Sequence, residues 1–243
     1  MKTFTVTTFN IQHGRNHNLP GDVIDLGLMA ETALSTGADF YSFNEVRRGE
    51  CEGIPGFPDE PEILGALIGG KAIFGRAITL APGKHYGNAA VSRLPVLGST
   101  VIPIPDPEPA PGGRYYESRC IMRTTVNVQG TPVTVLGSHF GLNRDERENA
   151  LAEVKRAADG CETPIVLMGD FNMTPDDPCC AALSCEFTDT LAYAGEDGFT
   201  FPSDSPRERI DYIFVRGLRV LGAGVVKKVA SDHFAITARL GIE

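Results

Sequence analysis

The chain has 243 residues, 42% of them hydrophobic and 22% charged, which is the composition of a globular protein with a sizeable core. Its formal net charge of −9 and pI near 5.1 argue against a general electrostatic affinity for nucleic acid or anionic membranes. This net charge is still compatible with a local basic groove. The sequence has no apolar run near the roughly 18–20 residues that a membrane span needs. The N-terminal MKTFTVTTFN alternates like a strand rather than a signal peptide, so we expect a cytoplasmic protein.

Nine short runs rich in β-branched and aromatic residues predict strands along the chain. In order, they cover residues 4–10, 39–46, 71–80, 87–93, 120–128, 132–140, 164–171, 209–215 and 234–240. Nine or more strands with few helices do not fit a doubly wound parallel sheet, which needs one helix per crossover. We therefore predict a single α/β domain over 1–243, with two sheets packed face to face and helices outside.

The sequence between these strands predicts two helices and one irregular excursion. The clearer helix covers 143–160, where Asn143 is placed to cap the N-terminus, Glu146 follows three residues later and Gly160 ends the helix. A weaker helix covers 22–36. The prolines of 101–116 exclude a helix and a central strand, which predicts an exposed excursion there.

The six cysteines form no CxxC pair and have no His partners at zinc-site spacing. In a reducing compartment they are expected to be free thiols, several of them buried. A redox or metal role for Cys179, Cys180 and Cys185 is the less favoured alternative.

Polar side chains follow the predicted strands where each strand ends, embedded among apolar neighbours. A single buried polar group is usually a satisfied structural one. Several strand ends presenting only carboxylates, amides and imidazoles instead indicate an active site. The residues are Asn10, His13, Glu45, His139, Asp170, Asn172, Asp211, Asp232 and His233.

These residue types indicate metal-assisted hydrolysis of a phosphoester. Oxygen ligands such as Glu45, with Asn10 and Asp232, suit Mg²⁺ or Mn²⁺ better than zinc. The sequence has no GxxxxGK[ST] loop, GxGxxG turn or GxSxG elbow, so nucleotide-driven phosphoryl transfer and serine-hydrolase chemistry lack their usual signals. Attack of a water on phosphorus is the chemistry that remains.

Seven motifs in order resemble the endonuclease/exonuclease/phosphatase superfamily of DNase I-like enzymes. They are TFNIQHG, FNEV, YGNAAVSRLPV, GSHF, GDFN, RIDYIF and SDHF, and they run from Thr7 to Phe234. The resemblance implies a four-layer α/β/β/α sandwich of two mostly antiparallel sheets, in agreement with the strand count. The chain departs from the family at Asn44, where much of the family has Gln, so the reach of this amide changes.

The resemblance also implies roles for individual residues, beginning with the metal. Glu45 would be the main protein ligand of a divalent ion, Mg²⁺ or Mn²⁺, with Asn10 beside it and Asp232 bound directly or through water. The sequence does not distinguish the two metals, one ion from two, or a monomer from a dimer.

Five further residues would carry the catalysis. Asp170 would position or deprotonate the attacking water, and Asn172 would orient the phosphate or the nucleophile. His139 would donate to a phosphate oxygen, and His233, held by Asp211, would be either a general base or a phosphate donor. Three further residues are weaker candidates for substrate binding. His13 follows the metal-site strand and could reach the substrate, and the resemblance places Asn88 and Arg119 either near the phosphate or, as structural residues, under the sheet.

Three functions stay open from the sequence. The favoured one is hydrolysis of a small or lipid-like phosphoester, with no protein partner predicted. A DNA or RNA nuclease is the second, and it requires a local basic strip, for which Arg76, Lys84, Arg93, Arg114 and Arg119 are the candidates. A non-catalytic binding module is the third; loss of Glu45, Asp170 or His233 would support it, and all three are present.

Overall fold

The structure is a computed structural model that describes residues 1–49, 57–108, 116–196 and 198–242. The described residues form twelve strands and five helices, with a short 3-10 turn at Gln12–Gly14. The strands are β1 (Lys2–Asn10), β2 (Phe40–Gly49), β3 (Lys71–Ala81), β4 (Lys84–Ser92), β5 (Val96–Ile104), β6 (Arg119–Val128), β7 (Thr131–His139), β8 (Ile165–Asp170), β9 (Thr188–Asp189), β10 (Asp211–Arg216), β11 (Arg219–Val226) and β12 (Ala235–Ile242). The helices are α1 (Leu26–Leu34), α2 (Glu60–Ile68), α3 (Arg144–Asp159), α4 (Pro178–Ser184) and α5 (Thr190–Ala194).

The strands form two six-stranded sheets. The first has the order β11-β12-β1-β2-β4-β3 and the second the order β5-β6-β7-β8-β10-β9. Each sheet is antiparallel except for one parallel pair at its centre, β1 with β2 and β7 with β8. The prediction of two mostly antiparallel sheets is therefore confirmed.

Three apolar layers hold the sheets and helices together. The layer between the sheets includes Val6, Val135 and Ile213, which belong to one buried cluster. On the outer face of the first sheet, α1 and α2 pack through residues such as Met29. On the outer face of the second, α3 and α4 pack through residues such as Val154. Burial of an apolar face on each element thus produces the four-layer order of helices, sheet, sheet and helices.

Helix α3 begins and ends within one residue of the prediction. The Glu146 carboxylate accepts a hydrogen bond of 2.9 Å from the Asn143 backbone N–H, which stabilises the first turn. Helix α1 is shorter than predicted and starts at Leu26, because Asp25 caps it by accepting from the Leu28 N–H at 2.9 Å. Residues before Asp25 belong to a loop in which Ile24 forms a bridge with Arg15.

The proline-rich segment was only partly an excursion. Strand β5 continues through residues 101–104, including Pro103, so the prediction is wrong for these four residues. A proline fits there because β5 is an edge strand of its sheet. Residues 109–115 lie outside the described residues, as does Cys51. The five described cysteines are free thiols, and Cys120, Cys179 and Cys180 are buried.

None of the helices in the described ranges is long and apolar enough to cross a membrane.

Candidate active site

The strand register brings the predicted polar residues to one end of the sandwich. In the first sheet Asn10 pairs with Asn44, both at the carboxyl end of a parallel pair. In the second sheet Asp170 pairs with His139 on one side and with Asp211 on the other. The polar residues of the first sheet contact those of the second. Asn10 Nδ2 donates a hydrogen bond of 2.9 Å to Asp170 Oδ2 across the space between the sheets.

Asn44 connects the two sheets behind this site. Its Oδ1 accepts from the Asp170 backbone N–H at 3.0 Å, and its Nδ2 donates to Asn88 Oδ1 at 2.8 Å and to the Ser138 carbonyl at 3.0 Å. Asn88 in turn donates to the Cys120 carbonyl at 3.2 Å. Asn88, predicted to lie near the substrate, is buried between the sheets, and its bonds hold Asn44 in place.

Asp170 lies between the two imidazoles. Its Oδ2 is 3.5 Å from His139 Nε2 and 3.7 Å from His233 Nε2, and its Oδ1 accepts from the Asn172 N–H at 3.0 Å. Burial raises the pKa of Asp170 above its usual range; His233 opposes this shift and the Asp211 carboxylate adds to it. A carboxylate in this environment accepts a proton more readily than an exposed one.

His233 forms a buried couple with Asp211. His233 Nδ1 lies 2.9 Å from Asp211 Oδ2, and the Phe201 ring packs on the imidazole with the ring centroids 4.8 Å apart. Burial alone would lower the pKa of His233, but the carboxylates of Asp211 and Asp170 outweigh it and raise this pKa above the ordinary value. The ring is therefore a proton carrier at neutral pH.

His139 has a different environment. Its Nδ1 is 3.1 Å from Arg119 Nη1, and its Nε2 is 3.0 Å from Asn172 Nδ2. Burial lowers the pKa of His139 well below its usual value, and the positive charges of Arg119 and His233 add to this effect. His139 is thus neutral where His233 is charged.

Glu45 supplies the carboxylate of the first sheet. Its Oε1 accepts from Asn10 Nδ2 at 3.0 Å and its Oε2 accepts from the Tyr86 hydroxyl at 2.9 Å. Each oxygen keeps a further lone pair, and the side chain lines the cleft. Asn10 directs its amide nitrogen at Glu45 and Asp170, while its Oδ1 accepts from the Gln12 N–H at 3.1 Å, so in this arrangement it orients the carboxylates.

These oxygen donors fit a hard divalent cation such as Mg²⁺ or Mn²⁺. A second group that can hold a metal consists of Asp170, Asp211 and His233, whose ligand atoms lie within 4.8 Å of one another. One buried oxygen of that group, Asp211 Oδ1, has no hydrogen-bond partner among the described residues. The chemistry of both donor sets is compatible with the predicted metal, and neither identifies it.

Backbone strain is concentrated around the site. Among the described non-glycine residues with left-handed φ angles are Gln12, His13, Glu45 and Asn172, at 44°, 47°, 60° and 48°. Such conformations cost of order 1–3 kcal/mol each and are typical of functional positions.

His13 lies in the turn after β1, outside the residues described as lining the cleft, with Nε2 buried and unpartnered among the described residues. Burial and the charge of Arg47 lower its pKa.

The site opens into a cleft of about 470 Å³. Asp232 is half-buried on its wall, with its Oδ1 accepting from the Ser231 hydroxyl at 2.9 Å. The sequence reasoning missed several other wall residues, which no local pattern distinguishes from ordinary loop residues: Glu117, Leu142, Phe201, Glu208 and Ile210. It also missed Tyr86, although Tyr86 precedes Asn88 by two positions and period-2 alternation places both on the same face of β4.

The described residues do not assemble the candidate basic strip along this cleft. Arg119 is the one Lys or Arg among the described wall residues. Arg93 donates to the Ile68 carbonyl at 2.8 Å, and Lys84 packs over the Phe57 ring at 5.8 Å. Arg76 lines a second cavity, and Arg114 lies outside the described residues.

Comparison with known proteins points to one family. A sequence model described as "Endonuclease/Exonuclease/phosphatase family" matches residues 7–233. A comparison with curated proteins gave no match.

Several solved structures share the fold. An endonuclease/exonuclease/phosphatase from Beutenbergia cavernae DSM 12333 is 25% identical, with a TM-score of 0.80 over 100% of this chain and 72% of that one. A functionally unknown protein from Enterococcus faecalis V583 is 18% identical, with a TM-score of 0.81 over 98% and 100%. A mannosyl-6-phosphatase from Bacteroides thetaiotaomicron VPI-5482 is 18% identical, with a TM-score of 0.76 over 98% and 99%.

Proposed function

This chain belongs to the endonuclease/exonuclease/phosphatase family, and from this premise we propose that it is a divalent-metal-dependent phosphoesterase acting on a small phosphoester. One observation carries the proposal: two imidazoles approach the same buried carboxylate oxygen, Asp170 Oδ2, at 3.5 and 3.7 Å. A base flanked by two nitrogen donors is suited to hydrolysis of a phosphoester, because the base can activate a water while the donors stabilise the charge that develops on phosphoryl oxygens.

Asp170 is the residue suited to take the proton of the attacking water. Its raised pKa favours proton uptake, and Asn10 and Asn172 fix the carboxylate through bonds of 2.9 and 3.0 Å. A general base is most effective when its pKa lies near the working pH.

His233 and His139 are suited to hold the phosphoryl oxygens. Since carboxylates raise the pKa of His233, it carries a proton at neutral pH and donates rather than accepts. His139 contributes a neutral N–H from the opposite side of Asp170. Fixed donors directed at developing negative charge lower the barrier without reorganisation.

Glu45 is the residue proposed to bind the divalent metal. Asn10 orients the Glu45 carboxylate, and Asp232 lies on the adjacent wall of the cleft. When bound, a divalent cation supplies Lewis-acid stabilisation of phosphoryl charge. The residues that would hold it are oxygen donors, as Mg²⁺ and Mn²⁺ prefer.

The charge of the cleft supports a small substrate with a neutral, hydroxylated leaving group. Among the wall residues that the structure describes, Glu117, Glu208 and Asp232 outnumber the one guanidinium, that of Arg119. Such a wall repels the repeated phosphates of a nucleic acid, whereas carboxylates accept hydrogen bonds from hydroxyl groups. The mannosyl-6-phosphatase of the same fold makes hexose 6-phosphates the first class to test.

The test is Mg²⁺-dependent turnover of mannose 6-phosphate, of bis(p-nitrophenyl) phosphate as a diester, and of supercoiled plasmid. We expect hydrolysis of at least one small phosphoester and no plasmid nicking. The His233→Ala variant, purified in parallel, controls for contaminating hydrolases and should lose activity by orders of magnitude with its fold intact.

Plasmid nicking by the wild type alone would replace the small substrate with nucleic acid. Equal rates for the wild type and His233→Ala on every substrate would contradict the proposed site.

A further inference from the structure

The two imidazoles of the site are held at Nδ1 by groups of opposite charge. Behind His233 is a carboxylate, with Asp211 Oδ2 at 2.9 Å. Behind His139 is a guanidinium, with Arg119 Nη1 at 3.1 Å. The carboxylate behind His233 stabilises an imidazolium, and the guanidinium behind His139 opposes one.

Counting donors fixes the tautomer of His139. Arg119 and the Asn172 amide nitrogen approach its two ring nitrogens, and a guanidinium has donors only. A neutral imidazole can accept at one nitrogen. The charge-assisted bond from Arg119 is the stronger of the two, so Nδ1 accepts it and the proton resides on Nε2.

Glu117 holds Arg119 in this position. Arg119 Nη1 lies 2.6 Å from Glu117 Oε1, and the Arg119 side chain is 11% exposed. Because β6 places Arg119 at its first residue and β7 places His139 at its last, the two side chains meet at neighbouring strand ends. Glu117, Arg119 and His139 thus form a chain of contacts leading to the cleft.

We infer that Arg119 is a positioning residue: it donates to His139 Nδ1 and so keeps the ring proton on Nε2, where it is a fixed hydrogen-bond donor beside Asp170. The catalytic consequence rests on the proposed function: His139 donates through its Nε2–H to a phosphoryl oxygen. His139 Nε2 and Asn172 Nδ2 lie 3.0 Å apart, and Asn172 Nδ2 also donates to the Phe140 carbonyl at 2.9 Å, so one phosphoryl oxygen in front of both nitrogens can accept from each of them.

The experiment is ¹⁵N–¹H NMR of the histidine side chains in the full-length protein without substrate, with the His139 signals assigned from a His139→Gln variant. We expect Nδ1 of His139 to be unprotonated and Nε2 protonated. Arg119→Lys keeps a donor-only cation and should keep this pattern. Arg119→Met removes the donor and should shift the proton toward Nδ1, because the Asn172 amide then donates to Nε2.

Turnover of the small phosphoester separates positioning from substrate binding. Arg119→Met should lower kcat on the order of 10- to 100-fold with little change in KM, and Arg119→Lys should restore most of the loss. A wild-type His139 protonated on Nδ1 overturns the inference, and so does an Arg119→Met loss found entirely in KM with the ring protonation unchanged. The NMR measurement needs no substrate, so the expected protonation in an inactive protein supports the tautomer while contradicting the proposed function.

Discussion

Asp211 occupies the first position of β10 and directs one carboxylate oxygen at His233 Nδ1, 2.9 Å away. Asp211→Asn should lower the pKa of His233, because it removes the negative charge that outweighs the burial of the ring. We expect turnover to fall on the order of 10²-fold at neutral pH, where His233 loses part of its proton. A pH–rate profile together with an NMR titration of His233 measures both effects.

The chain provides a matched control in a second His–Asp pair. Asp204 Oδ2 lies 3.5 Å from His17 Nε2, and neither residue lines the described part of the cleft. Asp204→Asn should leave the rate and the His233 titration unchanged. An Asp211→Asn variant with the wild-type profile would contradict the couple.

Glu60 is a buried carboxyl whose cost to folding depends on pH. Burial raises its pKa to about 7, although its Oε2 accepts from the Arg47 N–H at 2.7 Å. Between its ordinary pKa and 7 the folded state binds more protons than the unfolded state, so stability falls as pH rises through this window. The Glu60→Gln variant should therefore have a free energy of unfolding up to about 3 kcal/mol higher than that of the wild type above pH 7, and nearly the same one at pH 4.

Chemical denaturation at several pH values measures this difference. Glu62→Gln, an exposed substitution in the same helical turn, is the control and should leave the pH dependence of unfolding unchanged. If the free energy of unfolding changes with pH by the same amount in the wild type and in Glu60→Gln, Glu60 does not titrate in this window.

At the scale of single elements, β8 requires glycine at the position before Asp170. Gly169 has a φ of +148°, and a Cβ there would lie 1.8 Å from the Ser138 carbonyl oxygen of the adjacent β7. Gly169→Ala must push the two parallel strands apart and should cost roughly 2–5 kcal/mol of unfolding free energy. Gly224→Ala, on β11, meets nothing within 4 Å and should be nearly neutral. Equal thermal melting of the two variants would contradict this close approach.

The elements differ in how far their own sequence predicts them. Helix α3 has a local start signal and an apolar face, so its prediction is confirmed to within a residue at each end. Strand β11 contains Gly222 and Gly224 and was missed, because pairing with β12 holds it in a sheet that its own residues do not favour. Strand β5 was missed because its prolines weaken the strand signal and are tolerated only at a sheet edge.

The short helices were also missed, and α2 had a readable signal. Asp59 caps it and Pro61 lies in its first turn, which is a typical helix start. The short α4 and α5 carry too few residues for a helical period to be recognised.

At the scale of the whole molecule, metal binding should couple to global stability, because the folded state alone assembles Glu45 with the opposite sheet. Mg²⁺ or Mn²⁺ at about 100 times its Kd should raise Tm by roughly 5–10 °C. Glu45→Gln should abolish most of this rise, whereas Glu148→Gln, an exposed change on α3, should retain it. Differential scanning calorimetry with and without EDTA measures the shift. A full rise in Glu45→Gln would move the metal to Asp170, Asp211 and His233.

The amino-acid sequence alone predicts the two-sheet architecture, most strand positions and the types of residue that meet at the site. These follow from local information, since period-2 runs predict strands and polar residues at their ends indicate where a cleft opens. It also contained Asn44 and Tyr86, but no local rule reveals that one connects the sheets and the other holds Glu45.

The partner of each side chain, and therefore its charge, depends on the packing of the folded chain. His139 and His233 lie in the similar motifs GSHF and SDHF, yet His139 faces Arg119 and His233 faces Asp211. Their pKa values move in opposite directions because the local field depends on residues that are distant in the chain. The acidic wall of the cleft has the same origin, since Glu117 precedes β6 and Glu208 precedes β10, two strands that are distant in the chain and lie in one sheet.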